Sequence, residues 1–385
     1  MRICFLGLEN LPVLAPEYRH HSIGGEQVQQ TLLARALAQR GYEVSMVVGD
    51  YGQADGAVWS GIRAFKAYRF DAGVPVLRFV HPRWTGVWQA LKRADADVYY
   101  TSCAGMHVGL VALFCRRFGR RFVFRTASNP DCERSRLRVL VRFARDRWLY
   151  AYGLKHADAI LVQSASQARA LAASYGLGSR VAAMLVEQPG PACARDIDVL
   201  WVGNIQAIKR PDRILRLAEA MPDLRFHMVG GSLAGREDLY CEVQRAALGR
   251  RNLAFHGRLS YWAASALYGR AQLLVNTSDV EGFPNTYLQA WIRGVPVVTL
   301  IDPDGVIERE GLGLAARSET GLADGVRYFF DDPHAWQAAS GRCRRFMARE
   351  YGEDKVLRTY VETFEQVMRA PAQRRTVLPR PVRHV

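Results

Sequence analysis

Neither GxGxxG nor GxxxxGK[ST] occurs in this chain, so the dinucleotide fingerprint and the P-loop are both missing. There is no Cys-x-x-Cys pair. The seven cysteines (Cys4, Cys103, Cys115, Cys132, Cys193, Cys241, Cys343) are scattered and odd in number, which fits neither a zinc site nor a disulfide frame. They read as reduced thiols of a cytosolic protein, most of them small core residues. No run approaches the ~18 apolar residues that span a bilayer, so any membrane contact is expected to be peripheral. The apolar start Met1–Leu8 is too short for a signal segment and suits a buried first strand. Acidic residues are scarce: 37 against 52 Lys and Arg leave a net charge of +15. That excess favours an anionic partner, whether nucleotide phosphate, acidic glycan, nucleic acid or membrane, and composition does not choose among them. What the chain does have is apolar material. Hydrophobic residues make up 49% and charged ones 23%, which excludes general disorder. At 385 residues, two domains of roughly 150 residues or more are expected.

Strand and helix alternate along the first half. Residues 2–6, 42–48, 98–100, 122–124 and 159–162 read as strands. Residues 26–40 carry Val28, Leu32, Leu33, Ala36 and Leu37 at helical spacing, and Gly41 ends that helix. Ser164 reads as the N-cap of a helix over 165–175. Residues 188–197, within a stretch with two prolines and no periodicity, read as a linker. Alternation then restarts, with strands at 198–202, 225–229, 253–256, 273–276 and 295–300. Two parallel-sheet α/β domains follow, over 1–187 and 198–350. Such sheets bind ligands beyond the carboxyl ends of their strands, so two facing sheets make a cleft. A terminal helix is expected over 351–370, crossing back to the first domain. Residues 371–385 are expected to form a basic disordered tail.

Three segments carry candidate chemistry. In the first, a buried strand ends at Asn276 and leads through Glu281-Gly282-Phe283-Pro284 into a helix. Gly282 permits unusual backbone angles there, and Pro284 suits the first helical position. The amides of Asn285 and Thr286 are then free donors at a positive helix terminus, a geometry that suits phosphate. Glu281 is positioned to accept from sugar hydroxyls. Spacing alone also fits a plain strand-turn-helix whose Glu satisfies local amides. The second segment, Gly203-Asn204 through Lys209-Arg210-Pro211, places two cations before a proline-started helix. They can reach a diphosphate at about 1.5–3 kcal/mol per charge-assisted hydrogen bond, or can be a solvated surface pair. In the third, Gly24-Gly25 precedes the first long helix and lets backbone approach a ligand closely.

Together these segments resemble glycosyltransferase family four, the retaining nucleotide-sugar enzymes of the GT-B fold. The resemblance runs from the first strand to the last helix. It implies two Rossmann-like domains facing across a cleft, with the donor bound by the second. In that pattern Glu281 holds the donor sugar and Lys209 the diphosphate. Gln289, separated from Glu281 by seven residues, faces the ribose. Gly25 approaches the phosphates from across the cleft. Gly230-Gly231 and His256-Gly257-Arg258 sit on the nucleobase side. The chain departs from the pattern at two donor positions. Asn204 replaces a phosphate-binding arginine, for which Arg210 can substitute, and Gln289 replaces a second glutamate. The family's acceptor-side histidine has no clear counterpart. Arg125-Thr126-Ala127-Ser128-Asn129-Pro130-Asp131 occupies the matching stretch, with Ser128 and Asn129 as acceptor-side candidates and His107 as the alternative histidine.

The implied reaction is sugar transfer from a nucleoside-diphosphate sugar to a glycan or glycolipid, with retention and without a required metal or other cofactor. Asp95-Ala96-Asp97, Asp196-Ile197-Asp198 and Asp302-Pro303-Asp304 look like metal-binding DxD motifs but read as turn carboxylates. Residues 134–155 hold Arg134, Arg136, Arg138, Arg142, Arg145, Arg147 and Lys155 against one acid, Asp146. Arg134, Arg138, Arg142 and Arg145 would share one helical face, either solvated or lying on anionic lipid at about 1 kcal/mol per cation. A cytoplasmic site at the inner membrane face is expected, and nucleic acid is not. A nucleotide-sugar epimerase, a sugar phosphorylase, an inactive relic and a basic binding module stay open as rivals.

Overall fold

A computed structural model describes residues 1–21, 23–75, 77–191, 193–232 and 237–370. The expected tail over 371–385 lies outside the described residues.

The first sheet contains β1 (Arg2–Leu6), β2 (Glu43–Val48), β3 (Ala57–Trp59), β4 (Ile62–Lys66), β5 (Val98–Ser102), β6 (Arg121–Arg125), β7 (Ala159–Val162) and β8 (Arg180–Val181). Their spatial order is β3-β4-β2-β1-β5-β6-β7-β8, parallel throughout except for the β3–β4 hairpin. The second sheet contains β9 (Ile197–Val202), β10 (Phe226–Val229), β11 (Leu253–Phe255), β12 (Ala271–Asn276), β13 (Val297–Thr299) and β14 (Gly313–Ala315). It is wholly parallel, in the order β11-β10-β9-β12-β13-β14. The central strands β1, β2, β5, β6, β9, β12 and β13 are short, mostly apolar runs that are largely buried, as parallel pairing demands, while the edge strands β3 and β8 are largely exposed. Each sheet separates two apolar clusters, one under the helices of either face.

In both sheets the strand order reverses beside the first strand of the domain. The reversal falls between β1 and β5 in one sheet and between β9 and β12 in the other. At such a point the connections leave in opposite directions and open a crevice beyond the carboxyl ends. The loops after β1, β5, β9 and β12 therefore line the crevices. They carry Gly24-Gly25, His107, Lys209 and Glu281 respectively.

The structure corrects several local expectations. Pro284 is the extended N-cap (φ −67°, ψ 127°) and the helix begins at Asn285. The basic stretch is not one helix. A 3₁₀ turn at Leu137–Val139 precedes extended Phe143, and the helix runs only over Ala144–Lys155. Leu137 and Val141 are buried as anchors, and Arg147 Nη1 donates to the carbonyls of Val141 and Arg142 across the break. Arg134, Arg138, Arg142 and Arg145 thus share no helical face. The β3–β4 hairpin was also unforeseen. Its tight turn is Ser60-Gly61, both with positive φ (51° and 77°), as a two-residue hairpin loop requires.

The last helix, Glu353–Arg369, returns to the first domain. Val356, Leu357, Tyr360, Phe364 and Val367 form a stripe at helical spacing that enters the same core as Ile3, Phe5 and Val44. The rings of Phe364 and Tyr100 meet edge to face at 6.2 Å. Tyr360 Oη donates to Ala183 O at 3.0 Å, and Arg40 pairs with Glu353 at 2.8 Å. Phe364 is fully buried, so Phe364→Ala should lower unfolding free energy by about 3–5 kcal/mol. Urea denaturation would measure this, and an unchanged midpoint would mean that the helix does not hold the first domain.

Candidate active site

The loops after β9 and β12 are sewn together before any charged side chain is considered. Trp201 Nε1 donates to Thr277 Oγ1 at 2.8 Å, the Thr277 hydroxyl donates to Lys209 O at 2.7 Å, and Asp279 N donates to Ile208 O at 2.9 Å. That framework delivers Lys209 to Glu281, with Nζ and Oε1 2.5 Å apart. Ser278 Oγ (2.7 Å) and Asn276 Nδ2 (3.3 Å) donate to the same oxygen. Three donors on Oε1 fix the carboxylate, while Oε2 accepts no hydrogen bond among the described residues. The Glu281 side chain is 11% exposed and that of Lys209 24%. The pair is therefore largely withdrawn from water, where charge-assisted hydrogen bonds are strong.

The helix Asn285–Ile292 starts four residues after Glu281. Tyr287 N is bonded to Pro284 O, and the amides of Asn285 and Thr286 have no backbone acceptor among the described residues. They remain donors at the positive end of the helix. Across the cleft the helix Gly25–Gln39 begins at Gly25. A Cβ added there would lie 2.4 Å from Asn285 Nδ2, so the two helix N-termini face each other with glycine as the fitting residue. Gly282 is needed for the same reason, not for unusual angles. An added Cβ would sit 2.6 Å from Gln163 Oε1 and 3.1 Å from Ala127 O of the first domain.

The structure reassigns two predicted donor residues. Arg210, at positive φ (49°), makes a bidentate pair with Asp212 at 2.9 and 2.8 Å and lies 3.4 Å from Glu319. It is held by carboxylates of its own domain, so it does not stand in for the arginine that Asn204 replaces. Asn204 itself is half-buried in the loop before Lys209. Gln289 is only 5% exposed. Its Nε2 donates to Tyr261 Oη at 2.7 Å and its Oε1 accepts from Arg293 at 2.8 Å. A neutral amide can bridge an arginine and a phenol in this way, donating to one and accepting from the other, and burial turns it away from open solvent.

The remaining donor-side residues lie beyond the ends of β9, β10 and β11. Gly203 N bonds Val229 O at 3.0 Å, and Gly230 N bonds Gly257 O at 2.9 Å. Arg258 lies against Gly231 and donates to Ser232 O. Phe283 N points across the cleft to Gln163 Oε1 at 3.1 Å. On the opposite wall, His107 Nε2 donates to Ser102 O (3.0 Å), and burial lowers its pKa. Ser128 Oγ donates to Asp131 at 3.0 Å, and Asn129 Oδ1 accepts from Gln167 at 3.1 Å. These three candidates sit beyond the carboxyl ends of β5 and β6.

Four residues at the cleft escaped the sequence reading. Gln163 and Gln167 line the seam under Gly282, and Asp304 caps the helix Ala165–Tyr175 from the other domain. Its Oδ2 accepts Ala165 N at 2.7 Å and its Oδ1 accepts Ser166 N at 3.0 Å. Glu26, in the first turn after Gly25, accepts from buried Arg125 at 3.2 and 3.1 Å. Burial raises the Glu26 pKa, and the Arg125 charge pulls it back. The available signal was position, since each lies in a strand-to-helix connection or the first turn of the helix that follows it. The other paired aspartates are tied to arginines: Asp95 and Asp97 to Arg2, Asp196 to Arg270 and Asp198 to Arg225.

Comparison with known proteins agrees with this geometry. Residues 24–186 match the glycosyl transferase 4-like domain, and residues 196–332 match glycosyl transferases group 1. A curated relative, alpha-galactosylglucosyldiacylglycerol synthase of Streptococcus pneumoniae, is 28% identical over 174 residues. That match spans 44% of this chain and 45% of the relative, less than half of each. Among solved structures, sucrose-phosphate synthase from Thermosynechococcus elongatus superposes with a TM-score of 0.75 at 17% identity, covering 95% of this chain and 99% of that one. HepE from Anabaena, solved with UDP and glucose, gives 0.71 at 15% identity over 95% and 100%. At such identities the structural likeness speaks for the fold, and the two matched domains carry the assignment. The chain belongs to the family-four type of glycosyltransferases, with the GT-B arrangement of two Rossmann-like domains.

Proposed function

We propose that this protein moves a sugar from a nucleoside-diphosphate sugar to a glycan or glycolipid acceptor with retention of anomeric configuration, in bacterial surface polysaccharide or glycolipid synthesis. The observation that carries this reading is the Lys209–Glu281 contact at the reversal point of the second sheet, opposite the Gly25 helix terminus. The Lys209 ammonium and the amides of Asn285 and Thr286 offer positive charge to a diphosphate. They act most strongly on the charge that develops as it leaves. Glu281 Oε2 is the free acceptor for a hydroxyl of the transferred sugar.

In a front-face transfer the bond from the anomeric carbon to the diphosphate breaks while the acceptor oxygen bonds on the same face. The departing phosphate oxygen takes the acceptor proton. Such a route needs no side-chain nucleophile, and protein cations serve where a metal would otherwise be required. The acceptor belongs on the first domain's wall, near His107, Ser128 and Asn129. The names of the relatives make UDP-sugars the first donors to test and glycolipids the first acceptors. Among the described residues no helix is long and apolar enough to cross a membrane. The proposed place of work is the cytoplasmic face of the membrane, held peripherally.

Lys209→Met should lower kcat by about 10²–10³-fold, the usual loss for one donor to developing charge. Glu281→Ala should abolish transfer with the folded structure unchanged by circular dichroism. Turnover would be followed by donor release, and early products by the anomeric coupling in proton NMR. Undiminished turnover in either variant would overturn the assigned roles, and an inverted product would overturn retention. Gly282→Val should block closure of the two domains on each other. Its expected signature is loss of turnover with the thermal midpoint nearly unchanged, because the bulk enters a seam and not a core.

A further inference from the structure

Exposed large apolar side chains are concentrated in two short segments of the first domain. Leu77 (66%) and Val80 (57%) stand on one, and Val139 (69%), Leu140 (46%), Phe143 (55%) and Trp148 (66%) on the other. The segments touch. The Arg145 guanidinium lies 3.3 Å from the centroid of the Phe79 ring and 5.8 Å from that of Phe143. Phe79 in turn meets Trp84 edge to face at 5.9 Å. They therefore form one patch.

Arginines are interleaved with the apolar groups. Arg78, Arg138 and Arg142 are exposed, and among the described residues none has a carboxylate at ion-pair distance. Arg142 lies over the Phe143 ring at 5.6 Å. The patch thus combines side chains that gain by leaving water with cations that keep their charge unneutralised. An anionic lipid surface offers both complements, phosphate groups outside and acyl chains beneath. The break in the basic stretch matters here, because it turns Leu140 and Phe143 outward at a bend instead of along a helix face.

The location gives the patch a purpose. One segment continues from the carboxyl end of β4 and the other from that of β6. These are the strand ends that face the cleft and carry Ser128 and Asn129. We infer that the two segments form a pad that docks on an anionic bilayer and brings the cleft mouth to a membrane-anchored acceptor whose reacting hydroxyl lies at headgroup level. The acceptor class rests on the transferase reading above, whereas the docking does not.

The test is co-sedimentation of the full chain with vesicles of phosphatidylcholine alone or mixed equally with phosphatidylglycerol. Binding should require phosphatidylglycerol and weaken with salt. Arg138→Glu/Arg142→Glu should reduce it by roughly thirtyfold or more. Leu140→Ser/Phe143→Ser/Trp148→Ser should reduce it comparably, and Arg251→Glu/Arg358→Glu, a charge-matched change elsewhere, should reduce it far less. Thermal stabilisation by UDP-sugars without vesicles is read for each variant. If the pad variants keep it while losing vesicles, folding and the donor site are intact and the pad is supported. Three results would overturn the pad: no preference for phosphatidylglycerol vesicles, equal loss in the charge-matched control, or binding that survives the serine variant and is fully competed by soluble polyphosphate. If UDP-sugars fail to stabilise the wild type while vesicle binding behaves as expected, the donor reading fails and the pad stands.

Discussion

The ion pair between Lys209 and Glu281 is the contact on which the candidate site depends. A charged pair largely removed from water is costly unless its remaining hydrogen-bonding capacity is met. Here one carboxylate oxygen receives three donors, so the group is fixed without being exhausted. The geometry is available only because β9 and β12 are neighbours in the sheet although 68 residues separate Val202 from Ala271. The reversal of strand order between them leaves a gap where no crossover helix covers the loops. The Thr277 hydroxyl on Lys209 O and the Asp279 amide on Ile208 O then set the two loops at a fixed separation before the charged groups meet.

A second constraint is the close fit of the two domains. Glycines at 25 and 282 sit where any side chain would strike the opposite domain. Gln163 and Asp304 place an amide oxygen and a carboxylate against backbone N–H groups across the seam. These contacts are few and polar. That is the composition expected of an interface that opens and closes, in contrast to the continuous apolar packing within each domain. The last helix adds a permanent tie, since its apolar stripe completes the first domain's core although it follows the second domain in the chain. The chain therefore connects the two domains twice.

The sequence carried much of this fold because the governing signals were local. Short apolar strands alternating with 3.6-period helices, interrupted once and restarted, specify two parallel α/β units, and Ser164 capped its helix as its type and position indicate. The Glu281 turn and the Lys209 loop were legible as strand-to-helix junctions with charge. The side chains' final partners were not. Arg210 reads as a phosphate ligand beside Lys209, yet Asp212 two residues on captures it, with Arg210 in a left-handed backbone conformation. Gln289 reads as open to a ribose, yet it is buried between Arg293, one turn on at the end of its own helix, and Tyr261, which another helix brings to it. The Ser60-Gly61 hairpin signal was present in the chain but brief, between strands of three and five residues.

Local sequence by itself thus determined the strands, most helices, the division into two units and the chemical types at the strand ends, because those depend on neighbours within a few residues. Which strand ends became adjacent, which carboxylate each cation found, and which apolar side chains were left facing outward were decided by tertiary structure. Those outcomes depend on strand order, domain closure and chain reversals over tens to hundreds of residues, and for a pair such as Lys209 and Glu281 no short window of sequence contains both partners.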